Sequence, residues 1–110
     1  PLCLDAYAHF GSFMFDADVD EALAYYEEGV RQGDAAIQPF GPSFMLWLGL
    51  GNRPYLGCLH GMALCLWRLR RWKKAESAFK RLLWLNPSDN QGARFGLLAV
   101  AARTAWSSLA

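Results

Sequence analysis

Apolar residues recur along this chain at steps of three and four. Between Pro54 and Leu69 they fall at Leu56, Leu59, Met62, Ala63, Leu66 and Leu69, which is one face of a helix. Ala75, Ala78, Phe79, Leu82 and Leu85 repeat the pattern just downstream, so the spacing predicts a second helix. A basic turn joins the two. Pro87 cannot continue a helix, and it disfavours helical dihedrals at Asn86. Ser88-Asp89-Asn90-Gln91 then reads as a capping box, with the Ser88 hydroxyl on the first-turn amides and Gln91 reaching back. It opens a helix predicted from Asp89 to about Trp106, with Phe95, Leu98, Ala99, Ala102 and Trp106 as its inner stripe.

Upstream, Leu4 to Phe15 carries Tyr7, Phe10, Phe13 and Met14 with no proline, and is read as a helix. Asp18 is a good N-cap with Glu21 three residues on, which predicts a helix over Val19 to Arg31. Ala22, Tyr25, Tyr26, Gly29 and Val30 form its apolar side, Asp20, Glu21, Glu27 and Glu28 its wet side, and Gly33 is its expected C-cap. Residues 33–54 break the pattern with Pro39, Gly41, Pro42, Gly49, Gly51 and Pro54. Within them Ser43 is placed to cap a short helix to Leu50 that carries Phe44, Leu46, Trp47 and Leu48 inward. Pro54 suits the first turn of the helix that follows. The expectation is an all-α domain of about five helices without a sheet.

The stretch Arg53 to Arg94 resembles the tetratricopeptide repeat, a helix–turn–helix unit of about 34 residues. Leu59, Met62, Ala63 and Leu66 fall at that family's first-helix packing positions. Ala75, Phe79 and Pro87 match its A-x-x-x-F…P second half, and Ala22-x-x-x-Tyr26 is similar to the same half-unit. Leu59 stands where tryptophan is usual, and Arg70-Arg71 where the turn often has glycine. The runs Asn52-Arg53-Pro54-Tyr55 and Leu85 to Gly92 are also similar to those of a group of bacterial repeat proteins. The resemblance implies stacked helical hairpins: a degenerate first repeat over 4–32, an insert over 33–54, a second repeat over 55–87 and a C-terminal helix over 88–107. It further implies a non-catalytic protein–protein interaction module with a protein or peptide partner. Some members clamp a peptide's terminal carboxylate from inner positions that correspond here to Gly57, His60, Gly61 and Leu64, with Tyr7, Ala8 and Gly11. None of these is a clamp residue, so that activity is not expected.

Composition adds to this picture. At 110 residues, 54% of them hydrophobic, the chain is long enough for one domain with a packed core. Five Trp and seven Phe are many for that size, so either the core is dense or apolar surface awaits a partner. Self-association, or docking onto further chain, is expected through Phe95, Leu98, Trp106 and residues 39–50. The chain begins at Pro1, which suits a fragment of a longer protein. Charge is segregated. Residues 1–34 hold eight acids and one base, whereas residues 35–110 hold ten bases and two acids. Neutralisation of one half by the other across the fold is the simplest reading. Three cysteines in a chain that needs no staples suit a reducing, cytoplasmic setting, and no signal peptide or membrane span is expected.

Candidate chemistry is sparse. Cys58 and Cys65 lie two turns apart on one side of a helix that also carries His60, and Cys3 and His9 could join them, but no Cys-x-x-Cys or His-x-x-x-His pair offers zinc its short spacings. Packing is the better account of the cysteines. Cys58 and His60 point to different sides of their helix, which argues against an active thiol. The acids Asp16, Asp18, Asp20 and Glu21 suit a solvated helix start. Gly49-Leu50-Gly51 lacks the remaining parts of a phosphate loop. No cofactor, metal or enzymatic activity is expected. The clearest candidate contact residues are the basic turn itself, Arg68, Arg70, Arg71, Lys73 and Lys74 around Trp72, with Trp47 and Trp106 as aromatic contacts. An acidic protein partner or the chain's own acidic half would suit them, and nucleic acid or another acidic polymer is the alternative.

Overall fold

A computed structural model describes residues 4–37, 53–86 and 92–106. They form five α-helices and, among the described residues, no strand: α1 (Leu4–Met14), α2 (Val19–Ile37), α3 (Arg53–Arg68), α4 (Trp72–Leu85) and α5 (Ala93–Ala101). The all-α class is the expected one. The expected helix over 43–50 with Trp47, the Pro87 stop and the Ser88–Gln91 capping box lie outside the described residues.

Each helix packs on the next in sequence, and α3 also touches α1 and α5. With all four other helices as neighbours, α3 must be apolar around most of its circumference. Its sequence meets that need, since Tyr55, Cys58, Leu59, Ala63, Cys65, Leu66 and Trp67 are all buried. Pro54 lies in its first turn, where a missing N–H costs nothing. On α4, Ala75, Ala78, Phe79 and Leu82 are buried as the three–four spacing predicts, and the Phe79 ring meets Trp67 edge-on at 6.3 Å.

Asp18 caps α2 through its Oδ1, which accepts the Glu21 N–H at 3.2 Å. Asp20 and Glu21 in the first turn complement the helix dipole. The helix does not stop at Gly33. It runs on to Ile37, because Gly33 serves close packing and not termination: a Cβ there would collide with the buried Tyr55 ring. Tyr26 exploits the same device where α1, α2 and α3 meet. Its ring lies against Gly11, where a Cβ would come within 2.6 Å of Cε1, and against Gly61, while its hydroxyl is 3.1 Å from Ser12 Oγ.

Helices α3 and α5 end in one manner. At the α3–α4 turn, Arg70 N–H donates to Trp67 C=O and Arg71 N–H to Leu66 C=O, both at 2.9 Å, with Arg70 left-handed at φ 60°. This is a Schellman close. After α5, Arg103 N–H bonds Val100 C=O and Thr104 N–H bonds Ala99 C=O, with Arg103 at φ 57°. Helix α5 therefore ends at Ala101, five residues short of the expected Trp106. Reversal there sets Trp106 edge-on to Trp67 at 4.8 Å, and Trp67 Nε1–H donates to Thr104 C=O at 2.8 Å. The inner stripe of α5 differs from the expected one as well. Ala93, Gly96 and Val100 are buried, because small residues let the helix sit against the Phe79 ring. Phe95 and Leu98 are 71% and 68% exposed, and Ala102 is exposed too.

Candidate functional site

Helices α2, α3 and α4 border a groove of about 440 Å³. Its residues recur at helical spacing on each element: Glu27, Val30 and Asp34 on α2; Leu59, Met62 and Leu66 on α3; Lys74, Ser77, Ala78 and Arg81 on α4, with Lys73 beside them. Val30, Leu59, Met62, Leu66 and Ala78 make an apolar floor. One bank, from α2, is acidic, and the other, from α4, is basic.

A polar network closes one end. Tyr55 Oη donates to Asp34 Oδ1 at 2.5 Å and accepts from Arg81 Nε at 3.1 Å, while Arg81 Nη2 lies 3.3 Å from Asp34 Oδ1. Burial, helped by the Asp34 carboxylate, pushes the Tyr55 phenol up to about 12, so it stays a hydroxyl that can donate. Burial opposes the Arg81 charge, but the Tyr55 and Asp34 bonds outweigh it and hold the guanidinium protonated. Three helices are thereby tied at the start of α3, and the Tyr55–Arg81 bond shows α3 and α4 running antiparallel. Gly33 on Tyr55, Gly29 on Cys58 and Tyr26 on Gly61 show the same for α2 and α3. So α2 and α4 run parallel along the groove. Seven residues back from Asp34 and Arg81, about 10 Å along each helix, come Glu27 and Lys74. Glu27, Lys73 and Lys74 are exposed, and none is in an ion pair among the described residues.

The basic run is thus divided by the fold. Arg68 turns inward: Nη1–H donates to Phe15 C=O at 2.7 Å, and the guanidinium lies 4.9 Å from the Phe15 ring and 5.8 Å from the Trp106 ring. Asp16 is 4.0 Å away. Trp106 is half-buried in that cluster. Arg70 and Arg71 are exposed in the turn, and Trp72 is half-buried with the Arg103 guanidinium 5.9 Å from its ring. Lys73 and Lys74 alone of the run line the groove. Trp47 lies outside the described residues. Sequence reasoning did not assemble Glu27, Asp34, Tyr55, Met62 and Arg81 into a site. The available signal was the match between Glu27-x-x-Val30-x-x-x-Asp34 and Lys74-x-x-x-Ala78-x-x-Arg81, an apolar position flanked by like charges on each helix.

A second hollow of about 400 Å³ between α3, α4 and α5 is lined by His60, Leu64, Trp67, Phe79, Phe95 and Ala99, and is almost wholly apolar. Cys58 and Cys65 are buried and form no disulfide. Burial pushes the Cys65 thiol up to about 12, which keeps it protonated and a poor nucleophile. Among the described residues, no three His, Cys, Asp or Glu side chains converge as a metal site would require. No described helix is long and apolar enough to cross a membrane.

No family model, no curated protein and no solved structure matches the chain.

Proposed function

We propose that the chain is a non-catalytic interaction module of the tetratricopeptide type, and that it holds a peptide segment of a protein partner in the α2–α3–α4 groove. The helix order, with α3 touching α1 and α5, supports stacked hairpins. The observation that carries the reading is an apolar floor set between banks of opposite charge. An apolar side chain is rewarded there by burial, and the two banks suit the mixed charges of a polypeptide. A phosphate backbone would face Glu27 and Asp34 wherever it met Lys73, Lys74 and Arg81. Nucleic-acid binding would also need the basic run to act as one surface, and Arg68 is spent on Phe15 and Trp106. Cys58 and Cys65 outside any disulfide support a reducing, cytoplasmic setting.

Selection from a displayed random-peptide library tests the reading. Peptides with an apolar anchor are expected to be enriched, to lose no more than about tenfold in affinity between low and high salt, and to weaken about tenfold on Met62→Gln in the groove floor. Failure to enrich any peptide would overturn it. So would tight oligonucleotide binding that falls steeply with salt and disappears when Arg70, Arg71, Lys73 and Lys74 are replaced by serine.

A further inference from the structure

We infer that the occupant of the groove is a dipolar peptide, with an apolar anchor flanked by one acidic and one basic residue. The inference rests on the peptide reading above and names the chemistry of its partner. At the closed end the charges are already matched, because Asp34, Arg81 and Tyr55 satisfy one another. The Asp34–Arg81 pair carries no net charge, so this end contributes shape and little charge selectivity. At the other end Lys73 and Lys74 stand on the α4 bank and Glu27 on the α2 bank, exposed and without an ion pair among the described residues. An acidic partner residue is attracted by the lysines and repelled by Glu27. A basic one experiences the reverse. A peptide of one sign is therefore attracted by one bank and repelled by the other, whereas a peptide that carries both signs gains on both. Its anchor fills the floor over Val30, Leu59, Met62 and Leu66.

Fluorescence anisotropy of labelled peptides against the full chain tests this. The probes share one length and a central leucine, and are flanked by an acid and a base, by acids only, or by bases only. The wild-type chain is expected to bind the mixed peptide about tenfold more tightly than either other peptide, as two solvent-exposed ion pairs allow. Lys73→Glu with Lys74→Glu makes both banks acidic and should transfer the preference to the basic peptide. Glu27→Lys makes both banks basic and should transfer it to the acidic peptide. All three positions are exposed, so helical circular dichroism should be unchanged in both variants. One preference order shared by the three chains would overturn the inference while leaving the peptide reading intact, provided Met62→Gln still weakens every probe. Binding of no probe to the wild-type chain would overturn both.

Discussion

Arg68 shows how much one side chain depends on distant parts of the chain. Its guanidinium touches Phe15 and Trp106 and donates to a carbonyl 53 residues away. A planar, delocalised cation can make the hydrogen bond and stack on the rings together, which a compact, strongly hydrated lysine ammonium does less well. Arg68→Lys should therefore lower stability by about 1–2 kcal/mol, read as a shift in denaturant midpoint, while peptide affinity stays unchanged because Arg68 lies outside the groove. An unaltered midpoint would show that the cluster contributes no stability. From sequence, Arg68 is indistinguishable from Arg70 and Arg71, since nothing within a few positions reveals which cation turns inward. The Asp18 cap was legible for the opposite reason, its acceptor and the Glu21 amide lying three residues apart.

The elements divide in the same way. Helices α3 and α4 were readable because an amphipathic repeat encodes both a helix and its buried face. Gly33 was misread because the same residue that often stops a helix also admits a ring, and only the position of Tyr55 decides between the two. The end and phase of α5 were misread because its register follows the Phe79 ring, and its end follows the Trp67–Trp106 contact. The α3–α4 turn offers a test at this scale. Arg70 occupies a left-handed Schellman position at φ 60°, where a side chain costs about 1–2 kcal/mol and glycine costs nothing. Allowing for the extra entropy glycine carries in the unfolded chain, Arg70→Gly should stabilise the protein by about 0.5–1 kcal/mol in thermal or chemical unfolding. A loss of stability would mean that the Arg70 side chain makes a compensating contribution.

At the scale of the molecule, the segregated charges meet across the fold at Arg68–Asp16 and Arg81–Asp34, and the groove lies where the two halves face each other. The all-α class was legible in the periodicity. The groove was not, because Glu27 reads as a wet helix face and Met62 as core until three helices are placed side by side, with the buried Leu59 and Leu66 beneath. Apolar surface remains on the first and last described helices. Phe10 and Phe13 are 49% and 76% exposed on α1, and Phe95 and Leu98 are largely exposed on α5. Trp84 on α4 is 52% exposed as well. One chain thus exposes large apolar residues on several helices, and its net charge of +1 supplies little repulsion between copies. Contact between unlike faces is heterologous and does not close at two subunits. We predict that the mean mass in sedimentation velocity rises continuously with protein concentration in the micromolar range. Phe13→Ser should block one face, and Phe95→Ser with Leu98→Ser the other, leaving each variant monomeric alone. Mixed, the two variants should pair through their remaining faces and stop at a dimer. Assembly of either variant alone to the wild-type extent would assign association to other surfaces, and a wild-type chain that stays monomeric throughout that range would refute it.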